Sequence, residues 1–138
     1  MQALIEALIS EITGDAPLAA MFGAAPAVYL TEAPESAALP LVILRVGAGR
    51  VSHDFSGVRI TTVAVAFQIV ATDINTAVGG AERLGTLLDN ATLALSTGRL
   101  LGCRRTEPVA PAMPGFNSLQ TAIYTAGLRL ECQVFQAA

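Results

Sequence analysis

The sequence predicts an α+β domain: an antiparallel sheet of four to five strands with helices packed on one face, in the order α–β–β–β–α–β–β. Three observations predict it. Residues 58–71, Val-Arg-Ile-Thr-Thr-Val-Ala-Val-Ala-Phe-Gln-Ile-Val-Ala, form a run rich in β-branched residues with no Gly or Pro, and successive side chains of a strand point to opposite faces. Residues 74–96 then repeat apolar side chains at steps of three and four, the spacing of a helix stripe. Residues 119–135 alternate apolar with polar, the pattern of an antiparallel strand with one covered face.

Taken in order, residues 1–13 read as an amphipathic helix. Ala3, Leu4, Ala7, Leu8 and Glu11 follow one stripe, widened by Ile5, Ile9 and Ile12. Gly14 can stop it. Asp15 then reads as an N-cap, with Pro17 in the first turn, for a short helix ending at Met21 or Phe22. Residues 28–30 form a short strand, residues 31–39 a surface loop, and residues 41–46 a near-continuous apolar run suited to a buried strand. Residues 47–57, with three glycines, read as a long connecting loop that projects from the body, of the kind that often carries binding.

In the run 58–71, Val63, Val65, Phe67 and Ile69 share the face expected to pack on the following helix. Thr62, Ala64, Ala66, Gln68 and Val70 share the other, which is too small and too apolar to be an ordinary water-facing surface. Thr72 or Asp73 can cap the helix over 74–96, which Gly98 ends. Gly79 and Gly80 lie inside that helix and imply a kink or a close contact with the sheet. Residues 100–107 read as a strand. Residues 108–118 hold three prolines and a glycine, so an irregular arm is expected there, with Met113 and Phe116 as apolar contacts for a partner. In the last strand Tyr124, Ala126, Leu128, Leu130, Cys132 and Val134 face the core, and Thr121, Thr125, Arg129, Glu131 and Gln133 face away.

A chain of 138 residues is most simply one domain, spanning 1–138. Only 14 % of residues are charged against 53 % apolar. About a quarter is the usual charged share of a soluble domain, so burial of surface between copies or partners is expected. All positive charges are arginines, and the net charge of −3 makes the chain a poor general binder of phosphate backbones. No apolar run reaches the roughly 20 residues needed to span a bilayer, and no basic region precedes an apolar block, so neither a membrane role nor a secretory signal is expected. Cys103 and Cys132 lack metal-ligand spacing; reduced, buried thiols are expected, with a bridge between neighbouring strands as the alternative.

Catalytic chemistry finds no foothold. His53 is the only histidine, and no second ligand set accompanies it or Asp54. There is no nucleophile elbow, no phosphate-cradling loop and no His-Glu-x-x-His. The sequence therefore predicts no enzyme activity, no catalytic residues, no metal and no cofactor.

Several stretches resemble one family. The Leu-Ile-Glu-Ala-Leu helix leads to Gly-Asp-Ala-Pro-Leu-Ala-Ala-Met-Phe-Gly at 14–23, then Val28-Tyr29, a Pro-containing loop, and Leu-Pro-Leu-Val-Ile-Leu-Arg-Val-Gly at 39–47. With the long strand, the capped helix and two terminal strands, this resembles the tail-terminator, or tail-completion, proteins of long-tailed bacteriophages and of gene transfer agents. The resemblance implies a structural virion protein of the tail and neck, assembled in the cytoplasm of a bacterial host. It would form a homo-oligomeric ring, commonly a hexamer, that ends the tail tube and joins the head–tail connector or stopper. DNA passes through such a ring without sequence-specific binding. Other neck subunits (head-completion, stopper or adaptor) share this size and texture, and a small-molecule-binding or enzymatic α+β domain with a polar pocket around His53 is the reading from a different class. The contact residues expected for a ring are Thr62, Ala64, Ala66 and Gln68 on the strand, Arg50, His53 and Phe55 in the loop, and Met113 and Phe116 in the arm.

Overall fold

A computed structural model gives the fold and describes residues 2–34, 36–53, 59–91, 93, 95, 99–107, 113–116 and 122–136. Among them are α1 (Gln2–Thr13), α2 (Ala16–Phe22), β1 (Val28–Leu30), β2 (Leu41–His53), β3 (Arg59–Ala71), α3 (Ile74–Leu88), β4 (Arg99–Arg105), β5 (Met113–Phe116) and β6 (Ala122–Gln136). The architecture is α+β: a mostly antiparallel sheet in the order β1–β2–β3–β6–β4, with β5 also pairing β6. The short β1 is the exception to the antiparallel expectation, because it runs parallel to β2.

The long strand β3 lies at the centre, paired over its whole length with β6 on one side and with β2 on the other. Its alternation sorts as the sequence requires. Val63, Val65, Phe67 and Ile69 are fully buried beneath the helices, and β6 adds Ala126, Leu128, Leu130, Cys132 and Val134 to the same core. Helix α1 buries Leu4, Leu8 and Ile12, one residue per turn, while Glu11 of the predicted stripe stays exposed.

Three predicted boundaries move. Helix α3 ends at Leu88 rather than near 96, since Asn90 takes a left-handed φ of 60° and the chain turns toward β4. There the Asn90 N–H donates to the Cys103 carbonyl at 2.7 Å, and the Arg105 N–H donates to Asp89 Oδ1 at 2.9 Å. Ala91, Leu93 and Leu95 still pack on the core, which is why the periodicity runs on past the helix; Gly98 lies outside the described residues.

Most of the predicted loop at 47–57 is strand. β2 continues to His53, paired with Arg59, through a bulge between Val46 and Gly49 where two residues oppose the single Ala64. A side chain at Gly49 would meet Thr61 Cγ2 at 3.1 Å, so glycine here permits close strand approach rather than a turn. Residues 54–58 lie outside the described residues. The predicted arm likewise contains a strand: β5 pairs with the start of β6, and Pro114 is accommodated because an edge strand leaves one side of its backbone free of the ladder. Residues 108–112 and 117–118 of that arm lie outside the described residues.

Local capping follows the sequence. Asp73 rather than Thr72 caps α3, its Oδ2 accepting from the Thr76 N–H at 3.1 Å. Asp15 caps α2 by accepting from the Leu18 N–H at 3.1 Å. It does more than cap, since Arg83 of α3 donates to both carboxylate oxygens, at 3.0 and 2.7 Å. These bonds tie α2 to α3, and the Arg83 guanidinium holds the buried carboxyl below the ordinary carboxylate value. Asp15→Ala is expected to destabilise the fold by about 1–2 kcal/mol through the lost cap alone, and Asp15→Asn, which keeps a capping oxygen, by less. A depressed folded-state pKa means that the wild-type advantage is complete above the unfolded value of 3.8 and is lost as pH falls through the lower folded value. Urea midpoints of wild type and Asp15→Ala should therefore differ most above pH 5 and converge as the medium becomes more acidic.

The glycine pair in α3 serves a close contact, without a helix break. A Cβ on Gly80 would sit 3.2 Å from Ile69 Cγ2 and 3.3 Å from Phe22 Cε1, whereas one on Gly79 would meet nothing nearer than Met21 Sδ at 3.9 Å. Adjacent substitutions should thus have opposite signs. Gly79→Ala gains helix propensity, up to about 1 kcal/mol, and Gly80→Leu overpacks the helix–sheet joint at a cost of about 1–3 kcal/mol. Thermal unfolding of the two variants checks the pair.

Candidate assembly surface

With the helices on one face, the other face of the sheet is left without a helical layer. Its residues follow from the register. Across the middle run rows of cross-strand neighbours: Ile43, Gln68 and Gly127; Arg45, Ala66 and Arg129; then Ala64 beside Glu131, and Arg104 beside Glu131 in turn. Further along, Arg50, Thr62 and Gln133 form a row.

Small residues floor this surface and long polar ones wall it. Ala64, Ala66, Gly47 and Gly127 lie low between Arg45, Glu107, Arg129 and Glu131, leaving two adjoining depressions of about 420 and 390 Å³. Arg45 is held in place: its Nε donates to the Thr31 carbonyl at 3.0 Å and its terminal nitrogen to Gln68 Oε1 at 2.6 Å. Arg129 is looser, with Glu107 Oε1 at 3.9 Å and both side chains well exposed. At one end the face turns apolar, where Leu41, Ile43, Val70 and Ile123 meet Pro34, Ala37 and Leu39 of the segment after β1. The face thus has a partly covered apolar end and an open, charged, small-floored middle.

Of the residues expected to make contacts, the structure gathers Thr62, Ala64, Ala66 and Gln68 with Arg50 on this face, and Ala64 and Arg50 are exposed. Met113 joins it through its pairing with Thr125, at the edge. Phe116 does not, because it pairs with Ala122 on the opposite face; both it and Met113 are about 70 % exposed. His53 is the last residue of β2, and Phe55 lies outside the described residues.

Sequence reasoning missed Arg45, Arg104 and Glu107 as members of the surface. The alternation in β6 marks Arg129 and Glu131 as facing away from the core, but which residues stand beside them depends on register with β3 and β4, which no local pattern carries. Chemically the surface offers fixed guanidinium and amide groups around an apolar floor, which suits another protein surface. Among the described residues no cluster of three or more His, Cys, Asp or Glu is placed to hold a metal ion, and no helix is long and apolar enough to cross a membrane.

No family model and no curated protein matches the chain. Solved structures do: one chain in the virion of a native gene transfer agent particle aligns over 97 % of this chain and 96 % of its own, with a TM-score of 0.69 and 22 % identity. The two chains share a fold. The likeness extends over the helices and the sheet together, because nearly the full length of each chain is aligned.

Proposed function

We propose that the chain is a structural virion subunit that assembles into a closed homo-oligomeric ring, a hexamer in the tail-terminator reading, which ends a tail tube and joins it to the head–tail connector. The observation that carries this is the full-length fold likeness to a chain of a gene transfer agent virion. The tail-terminator texture of residues 14–23 and 39–47 points the same way. A closed ring needs a heterologous contact, one patch of a subunit meeting a different patch on the next. The small-floored face around Ala64 and Ala66 is the natural patch on one side of that contact. In this reading the protein carries out no reaction, and DNA passes through the ring without base-specific contacts.

Mass measurement in solution, alone and with purified tail tubes, tests the proposal. Rings in solution, or rings seen by electron microscopy at tube ends, are the expected result. A strict monomer that neither caps tubes nor joins a connector ring overturns it. Binding to the connector ring with tubes left uncapped would reassign the subunit to another position in the neck.

A further inference from the structure

Cys103 lies on β4 and Cys132 on β6, directly opposite each other in the antiparallel register. Both are fully buried, and both are free thiols. Opposed residues of an antiparallel pair have Cα atoms about 4.5 or 5.5 Å apart, depending on whether they exchange hydrogen bonds. Either spacing lies inside the range a disulfide spans, roughly 4.4–6.8 Å. The side chains share the helix-covered face, since Leu130, Cys132 and Val134 of β6 all point there and Cys103 is buried directly opposite Cys132.

We propose that Cys103 and Cys132 are an oxidation site, a thiol pair that closes into a cross-strand disulfide on exposure to a small-molecule disulfide. The neighbouring Cys132 thiol draws the pKa of Cys103 down against the opposing effect of burial, whereas the neighbouring Cys103 and burial both raise that of Cys132. Cys103, on the strand at the sheet's edge among the described residues, is the sulfur that an external disulfide reaches first. Its thiolate attacks one sulfur of the external disulfide, forms a mixed disulfide and expels one thiolate. Cys132 then loses its proton and attacks the Cys103 sulfur, which forms the protein disulfide and expels the second thiolate. Two protein thiols and one external disulfide become one protein disulfide and two external thiols.

Access comes by way of β4. Among the described residues β4 pairs with no strand but β6, and its other side is held by the Asn90 N–H on the Cys103 carbonyl and the Asp89 carboxylate on the Arg105 N–H rather than by a strand ladder, so it opens more readily than the doubly paired centre of the sheet. Closure would pin this edge and shut a covalent loop over residues 103–132. The chemistry of the pair is independent of the assembly that the chain enters.

The test incubates the purified, reduced protein to equilibrium in glutathione buffers from fully reduced to fully oxidised. After unfolding, remaining thiols are trapped with a maleimide, and intact mass is read without reductant. The expected product is a monomeric chain about 2 Da lighter, with neither thiol trapped and no glutathione attached, reverting on addition of reductant. Its melting temperature should rise by roughly 5–10 °C over the reduced form. Cys132→Ser should stop at a mixed disulfide or stay unmodified, without the 2 Da loss. Thiols that remain trappable in fully oxidised glutathione, chains carrying two glutathiones, or bridges between chains would each overturn the proposal.

Discussion

In the proposed ring, Ala66→Glu is expected to leave the fold intact and abolish assembly. Ala66 stands between Arg45 and Arg129 in one cross-strand row. A carboxylate there gains two guanidinium neighbours, and opposite charges side by side across strands are mildly stabilising, by up to about 1 kcal/mol. The isolated subunit should therefore unfold within about 1 kcal/mol of wild type. At a subunit contact the same side chain fills the small-floored depression and brings a charge with no partner on the neighbouring copy. Overfilling a packed contact in this way costs about 1–3 kcal/mol, which weakens each interface of a closed ring by a factor of about 5 to 150 and the whole ring by the product over its interfaces. Ala64→Arg is the matching case beside Glu131. Light scattering and tube-capping assays, with urea unfolding as the control for the fold, read both effects. Wild-type rings from both variants would remove this face from the contact.

One residue along, the expectation reverses. Phe67 points to the other side of β3, is 1 % exposed, and lies between Leu44 and Leu128 in its row. Phe67→Ala removes the largest fully buried side chain among the described residues and leaves a void where three strands and the helix layer meet. Such truncations cost about 3–5 kcal/mol, a large share of the roughly 5–15 kcal/mol that holds a typical domain together. The urea midpoint should drop sharply. Chains that remain folded at low temperature should still assemble, because the outward face is untouched. A loss below about 1 kcal/mol would mean that the centre of β3 is less tightly packed than its burial shows.

The contrast between residues 66 and 67 is legible in the sequence, since alternation along 62–70 by itself separates a bulky face from a small one. So are the Asp15 and Asp73 caps, which act within three residues of their own position. The extent of β2 is not legible. Gly47 and Gly49 read locally as loop residues, yet they serve a bulge whose cause is the nearness of β3. Nor is β5, where Pro114 argues against a strand until an edge position makes its missing N–H harmless.

The sequence alone determined the fold class, the two faces of β3 and β6, and the start of each capped helix, because period and capping are properties of a few neighbouring residues. Only the tertiary structure decided what meets across distance: Asp15 with Arg83, Cys103 with Cys132, and Arg45 and Arg129 flanking Ala66. Strand register and helix docking make those pairs, and both depend on how the whole chain closes over one core.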